Sequence, residues 1–311
     1  MIQPDYRVLL DEEIWAYMDR SDSFYPPDAV SLTIDQQRAV YNRMCAAFHQ
    51  PHPDGVRTWD VAFGGVPCRV YEADISAITV VYYHGGGFIV GGLDSHDDVC
   101  AEICAATGYD VIAVDYRLAP EHRHPAMFDD ALVASRHVFT MSRQPVLLCG
   151  DSAGGNLAAA VAHTLRNTVT QITGQLLIYP ALGGDSNTGS YLRHAFAPML
   201  SRDDVLFYEK IRVEGQPPTG DPTYAPLKDR DFSGLPPTIV ISAECDPLSD
   251  DSHDYCQRIV AAGGRSRWVN EERLVHGYLR ARHSVPRAQQ SFARITSALH
   301  DLGRGVWPGD D

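Results

Sequence analysis

Val146-Leu147-Leu148-Cys149-Gly150-Asp151-Ser152-Ala153-Gly154-Gly155-Asn156-Leu157-Ala158-Ala159-Ala160-Val161-Ala162 joins an apolar run, a glycine-flanked serine and a helix-forming run without a gap. The first four residues are apolar throughout, as in a strand covered on both faces. The alanine-rich tail favours helix. No loop residues are left between them, so the chain must turn sharply at Gly150-Asp151-Ser152-Ala153-Gly154. Such a turn holds the serine in a strained elbow, and small neighbours let the backbones approach. The start of the helix adds unsatisfied N–H groups and a positive dipole end beside the hydroxyl.

Outward from this segment, the same pattern repeats. Ile78 to Tyr83, Val111 to Val114, Gln175 to Tyr179 and Thr238 to Ser242 are short apolar runs bounded by turn residues. Helix-like segments lie between them, including Asn156 to Asn167 and Ser249 to Ala262. Alternation of this kind predicts a parallel sheet sandwiched by helices, with ligands bound beyond the carboxyl ends of the strands. Two regions break the alternation. Residues 1–50 carry a helix-like stretch at Ile14 to Met18 and a capping-box pattern at Thr33 and Gln36. Residues from about 183 to 237 are rich in Gly, Pro and aromatics, with a helical stretch near Asp203 to Ile211. Both are candidates for a lid over the strand ends.

With 311 residues, 44% of them hydrophobic, the chain can bury a large core. Its formal charge of −14 repels phosphate backbones and anionic lipid, so no nucleic-acid or membrane partner is expected. Met1-Ile2-Gln3-Pro4-Asp5 lacks the basic patch and apolar run of a signal peptide, and no apolar stretch is long enough to span a bilayer. The seven cysteines are scattered and form no C-x-x-C pair. Buried free thiols in a reducing cytoplasm are expected, with no disulfide framework and no metal site.

Ser152 is the candidate nucleophile. His84-Gly85-Gly86-Gly87-Phe88 follows the strand candidate ending at Tyr83, where glycine N–H groups can approach a ligand closely. Acyl transfer needs such donors for its tetrahedral oxyanion, with one more from the residue after the nucleophile, here Ala153. A phosphate loop is disfavoured, since neither Gly-Lys-Ser/Thr nor G-x-G-x-x-G is present. A base and an acid should follow in the order Ser, acid, His. His276, before Gly277, is preferred as base over His283. Asp246, just past the Thr238 to Ser242 run and fixed by Pro247, is preferred as acid over Glu244 and Asp250.

In combination and order, His84 to Phe88, Gly150 to Gly155, Asp246-Pro247-Leu248 and His276-Gly277-Tyr278 resemble the hormone-sensitive-lipase-like family of α/β-hydrolase esterases. Asp115 to Glu121 with Pro125-Ala126, and Ser233 to Pro237, are similar to further segments of that family. The resemblance covers about residues 75 to 300; Tyr278 departs mildly, Phe being common there. It implies an α/β-hydrolase fold with a mostly parallel central sheet flanked by helices and a helical cap. The cap would comprise residues 1–50 and an insertion at about 183–232, within a catalytic domain spanning 51–311. It implies a cytoplasmic serine carboxylesterase of short-chain acyl esters, of the bacterial acetyl esterase type and the Gly-Asp-Ser-Ala-Gly subgroup, with no cofactor. The N–H groups of Gly85, Gly86 and Ala153 would form the oxyanion hole. Phe88, Tyr191, Phe207, Tyr208 and Leu248 are candidates to touch the substrate, a small-molecule ester. An amidase or deacetylase could use the same triad. A ligand receptor on this fold would be expected to lack a triad member. The oligomeric state is not written in the pattern, and a homodimer stays open.

Overall fold

The computed structural model describes residues 3–27, 32–74, 76–141 and 144–307. Met1 and Ile2 of the leader reading, and residues 28–31 of the N-terminal segment, lie outside the described residues. Among those described, eight strands make one sheet: β1 (Arg57–Phe63), β2 (Val66–Glu72), β3 (Thr79–Tyr83), β4 (Asp110–Val114), β5 (Val146–Asp151), β6 (Ile172–Ile178), β7 (Thr238–Cys245) and β8 (Ser266–Val275). Their spatial order is β1-β2-β4-β3-β5-β6-β7-β8. The β1–β2 and β2–β4 pairs are antiparallel, and all pairs from β4 to β8 are parallel. This is an α/β-hydrolase fold, as the sequence implies.

Strands β3 and β5 are buried at every position because helices cover both faces. Successive side chains of a strand point to opposite faces. Val80, Tyr82, Leu147 and Cys149 therefore join one core, and Val81, Tyr83, Val146 and Leu148 the other. The first core is closed by α4 (Asp97–Thr107) and α10 (Pro286–Gly303), through Val99, Ile103, Ile295 and Leu299. The second is closed by α5 (Ala126–Met141), α6 (Ala153–Leu165) and α9 (Ser249–Ala261), through Met127, Leu157 and Tyr255.

Among the described residues five further α-helices remain: α1 (Tyr6–Leu9), α2 (Glu12–Asp22), α3 (Ile34–Phe48), α7 (Gly189–Arg193) and α8 (Arg202–Arg212). Thr33 and Gln36 form the capping box that opens α3. Helix α2 buries Ile14, Tyr17 and Met18 on the first core, and its Tyr17 hydroxyl donates to Gly277 O at 2.9 Å. Helices α7 and α8 pack Tyr191 and Val205 against Leu248. The two regions that break the alternation thus both reach the carboxyl ends of the strands.

Candidate active site

Ser152 stands alone between β5 and α6, with φ 53 and ψ −116. An L residue in this region is strained, and the strain lifts its side chain clear of the sheet. Gly154 makes the turn feasible: a Cβ there would sit 1.9 Å from Tyr83 O, because the first turn of α6 crosses the end of β3. The Ser152 N–H donates to Ile178 O at 2.9 Å, tying the elbow to β6.

Asp246 follows β7 directly and is fully buried. Its Oδ1 accepts the Leu248 N–H at 2.8 Å, and its Oδ2 lies 2.7 Å from His276 Nδ1. The imidazole, carried just past β8, places Nε2 at 2.8 Å from Ser152 Oγ. A proton on Nδ1 donated to the carboxylate leaves Nε2 as acceptor for the serine hydroxyl. The Tyr179 ring, 4.8 Å from the imidazole, limits its rotation. The alternatives lie elsewhere. Glu244 accepts the Arg273 N–H, Asp250 binds Ser190 N and Arg193, and His283 faces Glu102.

The glycine loop corrects one sequence expectation. The Gly85 N–H is engaged, donating to Asp151 Oδ1 at 2.9 Å, so it is not offered to a ligand. Gly86 and Gly87 line the cavity instead. Among the described residues no hydrogen bond uses the N–H of Gly86, Gly87 or Ala153. Gly86 needs its small size: at φ +123, a Cβ would lie 2.1 Å from Val90 O. Counting glycines in the motif could not show which N–H is occupied.

Asp151 was legible only as the variable position of the serine motif, yet it organises the loop. Its Oδ1 also accepts the Tyr82 hydroxyl at 2.8 Å, and its Oδ2 faces His96 Nε2 at 3.3 Å. Burial raises its pKa, but His96 and these hydrogen bonds outweigh burial and hold the carboxyl well below the usual range. His84, stacked on Tyr116 with ring centroids 4.3 Å apart, hydrogen-bonds Gly85 O through Nδ1. Burial lowers its pKa to about 4, so the ring is neutral at pH 7 and fills the space behind the loop.

The cavity over Ser152 has a volume of about 570 Å³. Phe88, Tyr191, Phe207, Tyr208 and Leu248 all line it, as do Tyr17, Tyr25 and Tyr41 from the N-terminal segment. Trp15, Phe24 and Phe196 of the same two regions do not. Trp15 and Phe24 pack on the first core, and Phe196 is 74% exposed. One side is braced by Arg212, which was not legible as a site residue. Its buried guanidinium donates to Tyr224 O at 2.9 Å and Asn156 Oδ1 at 3.2 Å, 3.7 Å from the centroid of the Phe88 ring. Burial lowers its pKa to about 10, still charged at pH 7.

A family model described as alpha/beta hydrolase fold matches residues 80–280. Carboxylesterase NlhH of Mycobacterium tuberculosis is 38% identical over 247 residues, covering 75% of this chain and 77% of the relative. Esterase LipI of the same organism is 35% identical over 294 residues, 88% of this chain and 91% of the relative. A solved esterase of the bacterial hormone-sensitive lipase family superposes with a TM-score of 0.86 at 26% identity, over 94% of this chain and 98% of its own.

Proposed function

Because this chain belongs to the alpha/beta hydrolase fold family and is a hormone-sensitive-lipase-like carboxylic ester hydrolase, we propose that it cleaves short-chain acyl esters with Ser152, His276 and Asp246 as its triad. The observation that carries this is the unbroken relay from Ser152 Oγ through His276 to Asp246, with contacts of 2.8 and 2.7 Å. Ser152 Oγ attacks the ester carbonyl while His276 Nε2 takes its proton. The carbonyl oxygen becomes an oxyanion, met by the N–H groups of Gly86, Gly87 and Ala153. As the tetrahedral adduct collapses, His276 returns the proton to the departing alkoxide, leaving an acyl-enzyme. Water, deprotonated by the same imidazole, then frees the acid and restores Ser152. Asp246 fixes the imidazole and stabilises its charged form.

The short-chain reading rests on the aromatic wall. Each methylene gains about 0.8 kcal/mol while it is being buried, and added length clashes once the cavity is full. Helices α1 to α3, α7 and α8 act as the cap in this proposal. A cytoplasmic setting belongs to the same proposal; the seven cysteines are free and buried, and no described helix is long and apolar enough to cross a membrane.

The test is a p-nitrophenyl ester series from acetate to palmitate, on wild type and Ser152→Ala. Efficiency should peak at about two to six acyl carbons. The variant should lose about three to six orders of magnitude in turnover while staying folded. A preference for palmitate would overturn the chain-length reading, and near-wild-type turnover in a clean Ser152→Ala preparation would overturn the nucleophile.

A further inference from the structure

His49-Gln50-Pro51-His52 leaves the end of α3, and Asp97 opens α4. Neither histidine nor Asp97 lines the space over Ser152. The three side chains converge on one point. His49 Nε2 lies 3.1 Å and His52 Nε2 2.6 Å from the same atom, Asp97 Oδ2, and all three donor atoms lie within 4.8 Å of one another. We infer that His49, His52 and Asp97 form a structural site for a borderline divalent cation of the zinc type, which staples the exit of α3 to the start of α4.

Geometry supports this beyond proximity. Zinc at its usual bond lengths of about 2.0–2.1 Å, with tetrahedral angles, sets neighbouring donor atoms about 3.3 Å apart. His49 Nε2, at 3.1 Å from Oδ2, is already close to that spacing, while His52 Nε2, at 2.6 Å, would draw back by about 0.7 Å to admit the ion. Binding through Nε2 requires the Nδ1–H form of each ring. Neither Nδ1 is engaged among the described residues, so the change of tautomer breaks no other bond.

The carboxylate is already oriented for the role. Its other oxygen, Oδ1, accepts the Tyr71 hydroxyl at 2.7 Å and Arg69 Nη1 at 3.0 Å, both from β2. This leaves Oδ2 aimed at the histidines, the arrangement by which outer partners fix a metal ligand. Electrostatics point the same way. Arg69 is shared among Asp60, Asp94 and Asp97, so three carboxylates face one guanidinium, and a dication held at Asp97 would offset part of that negative charge. Two imidazoles and one carboxylate select zinc, cobalt or nickel over calcium or magnesium. The histidine side chains are 36% and 29% exposed, which leaves water a path to the fourth position. Sequence reading passed over this cluster because Asp97 lies far along the chain from the histidine pair.

The experiment uses the full chain, treated with a chelator and dialysed. Zn²⁺ is titrated by calorimetry and Co²⁺ by its visible absorption. One equivalent should bind with a Kd in the micromolar range or below, and Zn²⁺ a hundredfold above Kd should raise Tm by about 4 °C. His49→Asn with His52→Asn should abolish both responses while esterase turnover without metal stays at its wild-type value. Tyr71→Phe, which keeps all three ligands, should weaken binding about 10- to 100-fold. Saturable binding that is unchanged in the double variant, binding indifferent to Tyr71→Phe, or no binding at 100 µM Zn²⁺ would each overturn the inference. In those cases the cluster is a pair of histidine–aspartate hydrogen bonds only.

Discussion

Replacing Asp151 by alanine strips the acceptor from two buried donors at once, the Gly85 N–H and the Tyr82 hydroxyl. A buried donor left unpaired costs about 1–3 kcal/mol, so the variant should lose roughly 2–6 kcal/mol of stability. The effect on turnover follows from what Gly85 carries. Gly86 and Gly87 continue directly from it, and a displaced oxyanion donor is worth about 10²–10³ in kcat. Asp151→Ala should lower kcat by about 10- to 1,000-fold, with KM changing less, because the cavity walls remain. Asp151→Asn keeps an oxygen for Gly85 and Tyr82 and loses the charge and the acceptor that faces His96, so it should cost less than alanine on both counts. Its pH dependence separates charge from shape. The folded carboxyl sits below its unfolded pKa, so its stabilisation is present above about pH 4 and is lost as pH falls further. The stability gap between wild type and Asp151→Asn should narrow below that pH. Urea melts from pH 3 to 7 and steady-state rates on p-nitrophenyl acetate give both readouts. Wild-type stability together with wild-type kcat in Asp151→Ala would refute the tether.

Two further outcomes are expected. Asp246→Asn should keep the geometry but misplace the imidazole tautomer, lowering turnover by about four orders of magnitude, while Glu244→Gln stays near wild type; the reverse ranking would make Glu244 the acid. Asp251 is buried, accepts the Leu182 and Gly184 N–H groups and the Tyr191 hydroxyl, and burial raises its pKa to about 7. Its neutral form is favoured on folding, so its stability contribution is full below about pH 4 and is lost as pH rises through about 7. Asp251→Asn should therefore gain on wild type by a few kcal/mol between pH 4 and 7 in denaturant melts, and a constant difference across that range would refute the shift.

What the sequence made readable follows from burial. Strands β3, β5 and β7 are covered on both faces, so their apolar runs stand out and their chemical loops could be located from them. Strands β1 and β8 lie at the sheet edges. In β8, Ser266, Arg267, Glu272 and Arg273 face solvent or the rim, which leaves no apolar run to read. The helix after Ser152 starts at Ala153, earlier than the Asn156 expected, because Gly154 and Gly155 are weak helix formers whose place there is set by close backbone approach. The proposed triad residues stood out as candidates because motif and chain order constrain them. Gly85 was misread, and Asp151, His96 and Arg212 passed over, because their roles depend on contacts between distant segments. Cation pairing with Tyr224 O and Asn156, or a carboxylate reaching Gly85, leaves no trace in local pattern.

The bond from the Tyr17 hydroxyl to Gly277 O joins helix α2 to the loop that carries His276. Gly277 is the residue next to His276, and Tyr17 also lines the cavity. The bond therefore runs from helix α2 to the backbone beside His276, so a displacement of α2 would pull on the peptide that follows the imidazole as well as on the cavity wall.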